Sequence, residues 1–392
     1  MSISLGETYP SENTYIIQSS SISRYIVRLA AFNVENMFNR ASIMNLPTWE
    51  QGKQVLQDFS QLSDLIQKQP YSQSDKNKMI DIMKRHKGLL TNGKSKYILL
   101  NKIRGTFLSK KKIVANGRDD WIGWFDLAQE HVKETAIENT ARVARELNAD
   151  VFCVIEAENR TALNRFNDAV IPKVGGPKYS HVMLIDGNDD RGIDVGIMTR
   201  NTFDILSIVS HVDDTDEKGR IFSRDCAEYQ IRTPSGETLL VLVNHFKSMG
   251  YGSQEDNDSK RKRQAKRVRE IYEERVNQGL KFIAIAGDLN DIPDRDPLQP
   301  LLGNGSNLIE VMQHSKFRGD GRPGTHGHGN KGDKLDYILM SPSLANRIQE
   351  GGIERRGIWG GKHGTLFPHF PEIKEAKDAA SDHAGLWVDI DL

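Results

Sequence analysis

Apolar, β-branched runs bounded by turn residues recur along the chain. They are YIVRLAAF (25–32), VFCVIE (151–156), HVMLI (181–185), DVGIMT (194–199), LLVLVNHF (239–246), FIAIAGD (282–288), LDYILM (335–340) and GLWVDI (385–390). Their length and composition predict strands, several of them apolar on both faces and so covered on both faces. Helical patterns run between them. In IENTARVARELNAD, Ile137, Ala141, Ala144 and Leu147 fall on one face at the helical period, and the segment leads straight into a strand. A second helix is predicted from about Lys260 to Val276, with Ala265, Val268, Tyr272 and Val276 along its apolar face. Alternation of helices with such strands points to an α/β fold.

One stretch differs in texture. Residues 41–118 hold 15 Lys or Arg against 5 Asp or Glu, inside a chain whose 53 basic and 53 acidic side chains cancel. Its first half, TWEQGKQVLQDFSQLSDLIQ and DKNKMIDIMKRHKGLL, reads as polar helices; its second, KYILLNKIRGTFL to DDWIGWFDL, reads as strands around a turn. The expectation is a single domain over residues 1–392 with a lobe inserted at about 41–135. Overall neutrality means that any electrostatic partner is recognised by local clusters rather than by a global field. Two cysteines, Cys153 and Cys226, are too few for a disulfide framework and lack zinc-finger spacing, so both are expected reduced. The start of the chain has neither a basic n-region nor an apolar h-region, and no run reaches the roughly 18 apolar residues of a membrane span. A soluble, cytoplasmic protein is expected.

The candidate chemistry lies where strands end. AFNVENMF places Asn33 after the first strand and VFCVIEAENR places Glu156 after the second. GDLND and ASDHAGL supply Asp288, Asn290, Asp382 and His383. Each alone is an ordinary strand end or cap. Together they are hard oxygen donors with an imidazole, the set that an octahedral Mg²⁺ or Mn²⁺ ion takes.

In this order, FNVENMF, VIEAE, VNHFKS, GDLND, KLDYIL and SDH, the chain resembles the endonuclease/exonuclease/phosphatase superfamily, the DNase I-like proteins. The resemblance spans residues 24–392 apart from the insertion. It implies a four-layer α/β sandwich, two packed β-sheets flanked by helices, and hydrolysis of phosphodiesters or phosphomonoesters with Mg²⁺ or Mn²⁺. Carried onto this chain, it makes Glu156 the principal metal ligand, with Asn33 and Asp382 completing the set. Asp288 orients and deprotonates the attacking water, and Asn290 holds a phosphate oxygen. His383, oriented by Asp336, meets the phosphate or the moving proton, and His245 assists there with Asn244 beside it. Two departures bear on substrate choice: Ile155 stands where many members have Gln, and 123 residues separate Asn33 from Glu156.

Other polar features divide between readings. Arg191 in GNDDRGIDVG grips a phosphate or closes a salt-bridged loop, and Lys247 of HFKS is similar. The seven basic residues of KRKRQAKRVR (260–269) track a polyanion or, preferably, form a solvated helix face. GTHGHG, with glycine around His326 and His328 and no cysteine near, reads as a flexible loop rather than a metal site. The function expected is a metal-dependent nuclease acting on DNA or RNA. The alternatives are a lipid or inositol phosphate hydrolase of the same fold and a non-catalytic nucleic-acid-binding scaffold. Retention of every metal and water-orienting position argues against the scaffold.

Overall fold

The computed structural model describes residues 25–43, 46, 49–189, 191–250 and 253–392. The N-terminal stretch read for a leader lies outside the described residues. Eleven strands form the bulk of two sheets: β1 (Ile26–Asn33), β2 (Val151–Ala157), β3 (His181–Ile185), β4 (Asp194–Thr199), β5 (Asp204–Val209), β6 (Cys226–Arg232), β7 (Thr238–His245), β8 (Phe282–Asp288), β9 (Asp336–Met340), β10 (Ile348–Glu354) and β11 (Gly385–Asp391). The first sheet runs in the order β10, β11, β1, β2, β4, β3, with Phe317–Arg318 on its edge; the second runs β5, β6, β7, β8, β9, with Ile309–Glu310 on its edge. All eight apolar runs of the sequence lie in strands.

Strand parity builds the layers. Odd-numbered residues of β1 and β2 (Val27, Leu29, Cys153, Ile155) meet Val241, Val243, Ala284 and Ala286 of the second sheet in one core between the sheets. The alternate residues face outwards. Phe152 and Val154 pack under the helix Glu134–Leu147, and Leu240, Leu242, Ile283 and Ile285 pack under the helix Gln254–Asn277. Helix, sheet, sheet, helix is the four-layer sandwich that the resemblance implies. On the second helix Ala265, Val268 and Tyr272 are buried as its period predicts, whereas Val276, in the last turn, is 40% exposed.

Each sheet contains one parallel pair at its centre, β1 with β2 and β7 with β8. Ligands gather at the carboxyl ends of such strands, where loops are free to differ. The antiparallel neighbours β9 and β11 begin at that same rim, so Asp336 opens β9 opposite Asp288, and Asp382–His383 immediately precede β11.

Between β1 and Glu134 lie further elements. Asn39–Ala41 pairs with Gln129–His131 as a stem, beyond which lie the helices Trp49–Leu65 and Gln73–Arg85 and the antiparallel pair Ile98–Arg104 with Ile122–Leu127. Leu62, Met79, Met83, Phe107 and Trp121 bury themselves in a cluster of their own. The turn expected between its strands itself holds a small hairpin, Leu108–Ser109 with Lys112–Ile113.

Candidate active site

Parity also assembles the polar residues. Asn33, His245, Asp288 and Asp336 continue the inward-facing positions of β1, β7, β8 and β9, so they line the end of the inter-sheet core at the carboxyl rim. His245 and Asp288 are direct partners across the parallel pair, as are Asp288 and Asp336 across the antiparallel one. Glu156 breaks the rule. By alternation its side chain would point out towards the covering helix, but its φ is +66°, and the pairing of β2 with β4 slips at this residue. That bulge turns the carboxylate to 3.4 Å from His245 Nε2. The left-handed conformation is costly for a residue with a side chain, and such strain gathers at functional sites.

Asp288 is buried and well held. Its Oδ1 accepts from the Asn290 backbone N–H at 2.9 Å and its Oδ2 from the Asn33 amide at 3.2 Å. His245 Nε2 and His383 Nε2 lie 3.8 and 3.9 Å from Oδ2. Burial, with Asp336 and Glu156 near, pushes this carboxyl up to about 7, although His383 opposes the shift. The glycine of GDLND is required: Gly287 has φ +134°, and a Cβ there would collide with the Asn244 carbonyl. Asp291, by contrast, leaves the site. Fully buried, it binds Arg261 at 2.9 Å and Arg295 at 3.0 Å and anchors the turn to the helix Gln254–Asn277.

His383 Nδ1 meets Asp336 Oδ2 at 2.8 Å, and the same oxygen accepts from the Thr325 hydroxyl at 2.6 Å. Burial favours neutral His383, but Asp336, Asp382 and Asp288 outweigh it and hold its pKa well above the ordinary imidazole value. His245 lies the other way: burial, reinforced by Arg224, keeps it neutral. Ser381 ties this corner to β1, its hydroxyl donating to the Asn33 carbonyl at 2.7 Å and accepting from His383 N–H.

The sequence reading missed Glu35. It stands two residues after Asn33, and its Oε2 accepts from the Asp382 backbone N–H at 3.2 Å. Burial pushes Glu35 up to about 8; Arg40, 3.3 Å away, opposes this, and the negative charges of Asp382 and Glu156 add to it. Glu35 lies past the end of β1 with φ +51°, so the available signal was only the presence of an acid within FNVENMF. Asn33, expected among the metal ligands, has both amide ends engaged, Nδ2 on Asp288 and Oδ1 on the Glu35 N–H at 3.0 Å.

Four other expectations change. Asn244 is fully buried on the opposite face of β7 from His245, donating to the Leu242 carbonyl, so it is placed behind the site and not in it. Arg191 closes a salt-bridged loop, donating twice to Asp189, which Arg224 also meets at 3.1 Å. The 260–269 run is a solvated face only in part: Lys262 and Lys266 are exposed, but Arg261 is fully buried, and Lys262, Arg263, Arg267 and Arg269 all pair with carboxylates. GTHGHG is no detached loop either, because His326 Nε2 lies 3.1 Å from Asp382 Oδ2 and its backbone bridges to His383. Asn290, φ +52°, donates its amide to the Phe246 carbonyl at 3.2 Å. Lys247 is half-buried near Arg224 and Arg191, and burial with these cations brings its pKa down to about 7. Cys153 and Cys226 are buried free thiols. No helix among the described residues is long and apolar enough to cross a membrane.

Residues 133–383, well over half of the chain, match the model of the Endonuclease/Exonuclease/phosphatase family. Solved structures with a similar fold include mannosyl-6-phosphatase of Bacteroides thetaiotaomicron, at 18% identity over 66% of this chain and 92% of that one, TM-score 0.49. The human Nocturnin catalytic domain follows at 17% identity over 66% and 87%, TM-score 0.44. Truncated TDP2 of Caenorhabditis elegans is 14% identical over 66% and 90%, TM-score 0.44. No curated protein matches. The family match, over a chain that folds as a four-layer sandwich with its acids and imidazoles at one rim, makes this protein a member of the endonuclease/exonuclease/phosphatase family and a phosphoric ester hydrolase.

Proposed function

We propose that the protein is a divalent-metal-dependent phosphodiesterase that cuts nucleic acid. The observation that carries the reading is the position of Asp288, between a neutral and a protonated imidazole and beside the carboxylates of Glu156 and Asp336. The donor set suits Mg²⁺ or Mn²⁺. Glu35, Glu156 and Asp382 offer oxygens, Asp382 Oδ1 is buried without a hydrogen-bond partner among the described residues, and burial, with Asp382 and Glu156 adding to it against Arg40, raises the Glu35 carboxyl. These three residues would hold the ion. When bound it places positive charge on the phosphate oxygens, which lowers their repulsion of the nucleophile.

The chain's own groups supply the rest. Asp288, poised to exchange a proton near neutral pH, orients the water and takes its proton. His383, kept charged by Asp336, donates to the phosphate or to the departing oxygen. His245, neutral and buried, donates a hydrogen bond to a phosphate oxygen, and Asn290 caps the loop that fixes Asp288. Residues 41–135 are read as an inserted lobe whose excess of positive charge tracks the phosphate backbone.

One observation favours a second reading, hydrolysis of lipid or inositol phosphates. On the lobe's strand pair Ile103 is 69%, Trp124 43% and Ile122 39% exposed, an apolar surface that a lipid headgroup layer could receive. A panel of labelled single- and double-stranded DNA, RNA, inositol phosphates and sphingomyelin, assayed with Mg²⁺ or Mn²⁺ and again with excess EDTA, tests both. Metal-dependent cleavage of DNA or RNA is expected. Turnover confined to the lipids or inositols would favour the second reading, and full activity in EDTA would end the metal mechanism.

A further inference from the structure

His326 stands beside the site, and neither the fold nor the proposed chemistry yet gives it a task. It belongs to a loop stitched to the site from both sides. Its N–H and that of Thr325 both donate to the Asp333 carbonyl at 2.9 Å. Gly327 N–H donates to the Asp382 carbonyl and Ala384 N–H to the Thr325 carbonyl, each at 2.8 Å. Two adjacent side chains of this loop then grip two acids of the site: the Thr325 hydroxyl binds Asp336, and the His326 imidazole binds Asp382. A carboxylate oxygen only accepts, so His326 Nε2 carries the proton in that contact. The His326 ring also packs edge-on against His383, with ring centres 4.8 Å apart, which limits its rotation.

The effect on Asp382 is specific. Its Oδ2 is occupied by His326, while its Oδ1 is buried with no hydrogen-bond partner among the described residues. One oxygen is thereby committed to a hydrogen bond, while the other makes only the longer charge contact with His383 Nε2 at 3.7 Å. We propose that His326 is a positioning residue that locks the Asp382 carboxylate so that Oδ1 is presented to a divalent cation. This deepens the metal reading given above and rests on it. A neighbour of this kind fixes a ligand's orientation before the ion arrives, and its loss typically weakens metal affinity by roughly 10- to 100-fold.

Calorimetric titration of the full-length protein with Mn²⁺ alone, without substrate, tests the proposal, with circular dichroism to check that each variant folds. The wild type should bind, Glu156→Gln should bind far more weakly, and His326→Ala should lose affinity by roughly 10- to 100-fold. His326→Gln, whose amide can donate to Asp382 from about the same place, should stay within a few fold of wild type. Wild-type affinity in His326→Ala alongside a weakened Glu156→Gln would overturn this inference and leave the metal reading standing. A His326→Gln variant as damaged as His326→Ala would overturn it too, since the imidazole itself would then be a ligand. Should the wild type bind no Mn²⁺, or Glu156→Gln bind like wild type, the metal reading falls and the inference with it.

Discussion

Replacing Asp288 with Asn separates its chemistry from its architecture, because the hydrogen bonds around it are known atom by atom. In the variant the side-chain oxygen can still accept from the Asn290 N–H, but the new NH₂ then faces the Asn33 amide, which donates to that position at 3.2 Å. Asn33 cannot turn its oxygen round without abandoning the Glu35 N–H. Two donors facing each other in a buried site cost about 1–3 kcal/mol of stability. The loss of the base should lower kcat by roughly 10²- to 10⁴-fold. Adding Asn33→Asp returns an acceptor opposite the new amide and restores the wild-type net charge. That double variant should regain most of its stability to urea while staying as slow as Asp288→Asn, since its carboxylate sits on β1 rather than on β8. The pH profile gives a second readout. Asp288 is raised to about 7, so its anionic, active form is lost as pH falls through that range, and the acid limb of kcat/KM belongs to it. A bound divalent cation would move that limb lower. Asp288→Asn should abolish it. A rate within a few fold of wild type, or a double variant that recovers rate together with stability, would refute the base assignment.

Three further outcomes are expected. Asp336→Asn removes the largest influence holding His383 protonated, so the protonated form disappears at lower pH, and the alkaline limb of the rate profile should move down by about one to three units; an unmoved limb would mean that His383 is not the acid. Reversing Lys87, Lys102, Lys110 and Lys111 to Glu, all exposed on the lobe, should flatten the salt dependence of nucleic-acid binding by about 0.7–0.9 in log–log slope per lost phosphate contact, and an unchanged slope would return the lobe to a purely structural role. Arg261→Met strips a fully buried guanidinium from Asp291, Asp258 and the Lys247 carbonyl. It should cost about 3–5 kcal/mol in urea denaturation, towards the lower figure because Arg295 remains on Asp291, and a change below about 1 kcal/mol would contradict the buried-pair account.

The strands, both helices and most of the site were legible because they obey short-range rules. Period-2 alternation places Asn33, His245, Asp288 and Asp336 on one face, and that pattern is written in the chain. What escaped needs information about partners. Glu156 has the wrong parity and reaches the cleft only through its left-handed bulge, which follows from how β2 pairs with β4. Its role as principal ligand came from family resemblance; alternation alone would have put its side chain under a helix. The basic run 260–269 looked solvated because sequence cannot show that Asp291 and Asp296, from the segment after β8, and Asp214 and Asp216, from the segment after β5, arrive to neutralise it. His326 was masked by its glycines. They do permit tight turns, with Gly327 at φ +50° and Gly329 at φ +70°, but the turns fold the loop onto Asp382 instead of freeing it.

Two histidines and two aspartates of one rim end in different charge states, and neighbours rather than residue type decide which. His245 has cations nearby, Arg224 and Arg191, so burial and repulsion act together and it stays neutral. His383 is just as enclosed but faces Asp336, Asp382 and Asp288, and attraction wins over burial. The aspartates divide likewise. Asp382 keeps its charge because His326, His383 and Arg40 outweigh the cost of burial, whereas Asp288 meets two further carboxylates and rises to about 7. Groups pushed apart in this way can exchange protons in opposite directions at a single pH, as acid and base in one step must. The proposed roles follow that division: the permanently charged Asp382 suits a cation, the labile Asp288 suits a water, and the charged His383 suits a departing oxygen. Exchanging the environments should exchange the roles. Placing a carboxylate beside His245, for instance by Arg224→Glu, should raise its pKa and put a second titrating imidazole into the pH profile; the same profile as wild type in a folded variant would show that the cations near His245 do not set its charge.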